Sequence, residues 1–200
     1  MAPANACAMP VTLVTGPVRS GKSRYVQQLA AAADGRVLYV ATAIRDDADD
    51  EWVERLRRHM QDRPADWKSI EAAHLGHAAL LEIFTGANDG ECVVVDALGT
   101  WLAGRIARHL DAFERDFAAF ENQMDGEAAE IADAMLASRA HVIVVTEEVG
   151  WDIVPVAASA RLFRDVLGRM KQRLAARARS VYLVVCGYAL DLRALGVNIE

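Results

Sequence analysis

Residues 11–23 read "VTLVTGPVRSGKS". The first five are β-branched or apolar with no polar alternation, the pattern of a strand covered on both faces. The next eight, Gly16 to Ser23, fit G-x-x-x-x-G-K-[ST], and a helical pattern starts where they end. In such a turn the glycines let consecutive backbone N–H groups point inward as an anion nest, and the positive end of the following helix adds to it. Lys22 then reaches the β- and γ-phosphates of a nucleotide, and Ser23 offers its hydroxyl to Mg²⁺. Pro17 and Val18 fall at variable positions of the loop.

Working outward, four further apolar runs punctuate the chain: "VLYVA" (37–41), "CVVVD" (92–96), "HVIVVT" (141–146) and "VYLVVC" (181–186). Helical patterns lie between them. The clearest covers about 157–178, with Phe163, Val166, Leu167, Met170 and Leu174 spaced to share one face. Another covers about 113–137, and one follows the first strand directly. Strand and helix in alternation predict an α/β fold, a mainly parallel sheet with helices on both faces. With no low-complexity linker or repeat, the expectation is a loose tail over 1–10 and one nucleotide-binding domain over 11–200.

A 53% hydrophobic composition supplies a continuous core. The net charge of −6 argues against a nonspecific nucleic-acid binder, which accumulates Lys and Arg. "MAPANACAMP" lacks the basic start and apolar run of a signal peptide, and no stretch approaches the roughly 20 apolar residues of a membrane span. The expected location is the cytoplasm. Cys7, Cys92 and Cys186 lack metal-ligand spacing, and Cys92 and Cys186, beside apolar runs, are read as buried thiols.

Asp96 ends the run 92–96. After a phosphate loop, an acidic residue there suits a Mg²⁺ ligand, direct or through water, although an Asp in that place also serves as a cap for the helix that follows. The segment "RLRRHMQDRPADW" (55–67) poses a different question. A helix over about 50–61, N-capped by Asp49 or Asp50, puts His59 on the same face as Trp52 and Leu56, and Arg63-Pro64 ends it. His59 is either a core histidine or a nucleophile whose imidazole attacks phosphorus. His74, His77, His109 and His141 show no zinc-ligand spacing.

These strings occur in one order: "LVTGPVRSGKSR", "YVATA", "DDEWVERLRRHMQDRPADW", "VVDALGTWL", "EVGWDIVP" and "ARLFRDVLGRMKQRLA" followed by "VYLVV". From about Val11 to Arg193 the chain resembles the bifunctional adenosylcobinamide kinase/adenosylcobinamide-phosphate guanylyltransferase family of cobalamin biosynthesis. The resemblance implies a RecA-like P-loop fold and two reactions. The first phosphorylates the aminopropanol hydroxyl of adenosylcobinamide with a nucleoside triphosphate, ATP or GTP. The second transfers GMP from GTP onto adenosylcobinamide phosphate through a GMP-histidine, giving adenosylcobinamide-GDP and pyrophosphate.

By the same resemblance His59 is the GMP acceptor, and Lys22 serves both steps. Nucleotide contacts fall on Gly16, Pro17, Val18, Arg19, Ser20, Gly21, Lys22 and Ser23, on Ala41, Thr42 and Ala43, on Met60, Gln61, Asp62 and Arg63, and on Glu71 and Asp96. A homotrimer is implied too, with Trp52, Trp101 and Trp151 as interface or core residues. The sequence departs from the family pattern in four places. Pro17-Val18 replaces a common Gly-Ala, Glu147 and Lys171 each stand where Asn is frequent, and "IRDDADDEW" is about two residues longer than usual. Two rival readings are a P-loop small-molecule kinase without guanylyl transfer, which has no use for His59, and a regulatory switch, whose N-K-x-D base-recognition motif is absent.

Overall fold

A computed structural model describes residues 10–33, 35–44, 48–61, 63–151 and 153–199. The expected tail lies outside them except for Pro10, as does Asp62. The strands are β1 (Val11–Thr15), β2 (Arg36–Ala41), β3 (Lys68–Glu71), β4 (Glu91–Asp96), β5 (His141–Val145), β6 (Ser180–Val185) and β7 (Tyr188–Asp191). The helices are α1 (Lys22–Ala31), α2 (Asp50–Gln61), α3 (His77–Gly86), α4 (Leu98–Arg108), α5 (Leu110–Arg115), α6 (Phe117–Ala137), α7 (Ala158–Arg177) and α8 (Leu192–Leu195).

The strands form one sheet in the order β3-β2-β4-β5-β1-β6-β7. All pairings are parallel except β6 with β7. The absence of alternation in the strands has a simple cause. Val93 and Val95 of β4 face a core shared with α3, α4, α6 and α7, while Cys92 and Val94 face a second core under Val26 and Ala30 of α1. Both faces are covered, so both registers of each central strand are apolar.

Two strands escape the apolar signal. β3 is short and largely exposed at one edge, and β7 is exposed at the other. The pattern over 113–137 divides at Asp116, whose carboxylate accepts the Ala119 N–H and caps α6. In α7, Leu162 joins Val166, Leu167, Met170 and Leu174 in the core, while Phe163 is only partly buried. Cys92 is buried, and burial pushes its thiol up to about 11. Cys186, however, is exposed, contrary to expectation. It occupies the two-residue turn between β6 and β7 with Gly187, both at positive φ (51° and 80°), the backbone of a type I′ hairpin turn.

Candidate active site

Parallel strands bring their C-terminal ends to one sheet edge. Val14 pairs with Val145, Val95 with Val144, and Ala41 with Asp96, so the segments after β1, β5, β4 and β2 emerge side by side. β5 lies between β1 and β4. Two strand spacings, about 10 Å, therefore separate the phosphate loop from Asp96, and the residues after β5 occupy the interval.

The loop is held from several sides. Gly16 sits at φ 150° with its Cα against the Val184 carbonyl, where a Cβ would collide. Its own carbonyl accepts the Glu148 N–H at 3.1 Å, and the Ser20 carbonyl accepts the Gly187 N–H at 2.9 Å. Arg19 takes a left-handed φ of 59°, and Gly21, at φ 104°, begins α1 with no side-chain cap. Lys22 is buried and donates to the carbonyls of Gly16 and Pro17, both at 2.7 Å. Ser20 Oγ is buried without a protein partner, a hydroxyl left for whatever enters the loop. Ser23 is partly buried in the first turn of α1, while Val18 and Arg19 are exposed.

Asp96 does not cap α4; Ala97 holds that position. Its Oδ2 instead accepts a hydrogen bond from the hydroxyl of Tyr39. Burial first, and the Asp96 charge second, push the Tyr39 phenol up, so it stays a donor. The Arg63 guanidinium lies 4.1 Å from the Tyr39 ring centroid, and Trp67 stacks on that ring at 6.2 Å. Arg63 also meets Glu71 at 3.4 Å. Tyr39 thus joins Asp96 to the segment following His59, a role its place in "VLYVA" did not disclose. The only available signal was a polar-tipped aromatic inside a buried strand.

Other expected contacts divide. Thr42 is buried, with its hydroxyl donating to the Ala97 carbonyl at 2.5 Å and lying 2.6 Å from Thr100 Oγ1. That side chain joins β2 to α4, and the Ala41 carbonyl is taken by the Ala72 N–H at 2.6 Å. Ala43 is partly buried beyond them, and Met60 and Gln61 are exposed. Helix α2 begins as anticipated, with the Asp49 carbonyl accepting the Val53 N–H. His59 is partly buried, and among the described residues nothing hydrogen-bonds its ring. No described side chain of α2 is fully buried. Its first turn meets the loop through Arg19 and Glu51, 3.7 Å apart and both exposed.

Two carboxylates follow β5. Glu148 accepts from Thr15 Oγ1 at 2.6 Å and from Lys171 Nζ at 2.9 Å. Glu147 accepts the Gly99 N–H at 3.1 Å, and its backbone carbonyl receives Lys171 at 3.3 Å. Among the other histidines, His77 lies 3.1 Å from Glu130, His141 bonds Thr12 at 2.9 Å, and His109 meets Arg105 at 2.9 Å. Among the described residues no three His, Cys, Asp or Glu side chains gather to hold a metal, and no helix is long and apolar enough to cross a membrane.

A phosphate loop on β1, an acidic residue on β4 and an intervening β5 define a P-loop nucleotide-binding protein of the RecA-like kind. An ATPase of the type III secretion system of pathogenic bacteria has the same fold, with a TM-score of 0.56 at 7% identity over 96% of this chain and 60% of the other. Sequence comparison narrows the class. The family model for cobinamide kinase/cobinamide phosphate guanyltransferase matches residues 12–192, and the chain belongs to that family.

The bifunctional adenosylcobalamin biosynthesis protein CobU of Salmonella typhimurium is 38% identical, and that of Escherichia coli 36%, each over 90% of this chain and 98% of the relative. CobP of Pseudomonas aeruginosa, which carries the same description, is 32% identical over 90% and 96%. The chain is therefore a transferase with two activities, a kinase and a guanylyltransferase, in cobalamin biosynthesis.

Proposed function

We propose that residues 11–200 act as one catalytic domain in which a single cradle holds the nucleotide for both reactions and His59 carries the GMP between them. The observation that supports this is the Tyr39 bridge, because it ties Asp96 at the cradle to Arg63, four residues beyond His59. In the kinase step, Lys22 exchanges its bonds to Gly16 and Pro17 for the β- and γ-phosphates, and the loop amides hold them. The γ-phosphoryl passes to the hydroxyl of adenosylcobinamide.

In the second reaction an imidazole nitrogen of His59 attacks the α-phosphorus of GTP. A P–N bond forms, the α–β P–O bond breaks, and pyrophosphate leaves against the same amides and Lys22. A phosphate oxygen of adenosylcobinamide phosphate then displaces the imidazole, which regenerates His59 and yields adenosylcobinamide-GDP. Arg63, 10% exposed and paired with Glu71, is placed to neutralise the phosphate as the nucleotide arrives.

Ser23 and Asp96 would hold Mg²⁺. Their oxygen donors suit that hard cation, and so small a protein set leaves its remaining positions to phosphate oxygens and water. When bound, the ion neutralises charge on the leaving phosphates. The reading includes a cytoplasmic homotrimer, for which the exposed Trp151, Ile153, Val154 and Val156 offer apolar surface; Trp101 belongs to the core.

Incubation with α-labelled GTP and Mg²⁺ tests the proposal. Wild type should take up acid-labile, base-stable label, and His59→Ala should lose it while still phosphorylating adenosylcobinamide. A wild type that never takes up label while its kinase runs leaves His59 without its role.

A further inference from the structure

The two carboxylates after β5 are neighbours with unequal commitments. Glu148 is saturated: Thr15 donates to one oxygen, Lys171 donates to the other, and its backbone N–H is tied to Gly16. Glu147 turns the other way, into the interval between Lys22 and Asp96. Its Oε2 accepts one backbone N–H in the first turn of α4. Gly99 is the residue that permits this approach, because a Cβ there would run into the carboxylate. Burial raises the Glu147 carboxyl above its usual range and the Asp96 charge adds to that, while its own backbone N–H, the Lys22 charge and the Gly99 N–H act in the opposite direction. β5 lies between β1, which leads to Lys22, and β4, which ends at Asp96, so the carboxylate after β5 falls beside the γ-phosphoryl end of the proposed cradle.

The kinase step releases a proton from the substrate hydroxyl, and few groups at this edge can receive it. Asp96 is hydrogen-bonded by Tyr39 and is the metal carboxylate of the proposed mechanism. Glu148 is held in its ion pair with Lys171. Lys22 is a cation, and the Tyr39 phenol is a committed donor. Glu147 is left. Beside it, Thr146 Oγ1 is fully buried without a protein partner, a second polar group at the end of β5 that the protein does not satisfy.

We infer that Glu147 is the catalytic base of the kinase step, taking the proton of the acceptor hydroxyl as its oxygen attacks. The O–H bond breaks with its electron pair remaining on oxygen, and the proton passes to the Glu147 carboxylate. The new O–P bond forms at the γ-phosphorus, and the bond to the β-phosphate oxygen breaks, with its pair leaving on the nucleoside diphosphate. The inference rests on the proposed placement of the donor nucleotide in the cradle.

Lys171 sets a positive charge against the Glu147 carbonyl and the Glu148 carboxylate, which offsets the second acid at this edge.

The test compares Glu147→Gln, Glu147→Asn and Glu147→Asp for three quantities: kinase kcat and nucleotide KM, His59 labelling by GTP, and thermal midpoint. The amide variants should lose about 10²-fold in kinase kcat, with nucleotide KM and His59 labelling within about threefold of wild type. Glu147→Asp should recover a measurable part of that loss. Kinase kcat preserved within about threefold in either amide variant overturns the inference. So does a parallel fall in labelling and kinase, which marks Glu147 as a structural support. Absence of label in wild type instead defeats the histidine-carrier reading and leaves the kinase comparison intact.

Discussion

The phosphate loop and helix α2 carry the proposed cradle and the proposed GMP carrier, yet the protein supports them very differently. Around the loop, Gly16 is backed by Val184, Ser20 is tied to Gly187, Glu148 binds Gly16, and Lys22 is held by two carbonyls. Along α2 no described side chain is fully buried, and Arg57 and Arg58 pair with Glu54 on their own helix. Donors fixed before the ligand arrives stabilise developing charge without reorganising. Looser support suits His59 in its proposed role, in which it would meet GTP and then the corrinoid phosphate. Tyr39 is the buried link between the two regions.

Substitutions on either side of that link, and in it, should separate the regions. Gly16→Ala places a methyl against the Val184 carbonyl at a φ that L residues avoid. We expect a loss of about 2–3 kcal/mol in unfolding free energy, measured by denaturant titration, together with loss of both activities. A variant of wild-type stability would show that the loop is not fixed from behind. Tyr39→Phe should do less. Fold and nucleotide binding persist, but the Mg²⁺ concentration for half-maximal activity rises about tenfold, because Asp96 loses the donor that orients it. An unchanged Mg²⁺ titration breaks the link. Glu51→Ala is the smallest change. The Arg19–Glu51 pair is solvent-exposed on both sides, so the thermal midpoint should move by no more than about 1 °C. A larger drop would mean that α2 leans on the loop more firmly than its exposure indicates.

What the sequence disclosed follows from how local each signal is. The loop is one contiguous string, and the five central strands are apolar because both faces are buried, so each could be read in place. β3, "KSIE", is polar because an edge strand meets solvent, and β7 follows a turn whose only sign was Cys186-Gly187. The expectation of a buried Cys186 failed because the ladder of β6 ends at Val185 and the chain reverses there. One helical pattern runs across α5 and α6 in the sequence, because a cap such as Asp116 inside a long amphipathic pattern resembles one more surface carboxylate. At the site, His59 and Lys22 stood out by motif. Tyr39 meets Asp96 across two strands, Thr15 meets Glu148 from the segment after another strand, and no spacing along the chain encodes such meetings. Glu147 was visible only as a departure from a family pattern, and the sheet order supplies its position.

The placement of β1 also bears on when the protein becomes competent. Its two neighbours are β5 and β6, residues 141–145 and 180–185, and the supports of Gly16 and Ser20 are Val184 and Gly187. The residues that cradle phosphate leave the ribosome early, but everything that holds them emerges late. Contacts of such long sequence separation close slowly. A nascent chain stalled before residue 180 would carry the whole GPVRSGKS string and still lack the Val184 and Gly187 supports behind it. Tight nucleotide binding is thus expected late in synthesis, once the β6–β7 hairpin has formed behind the loop.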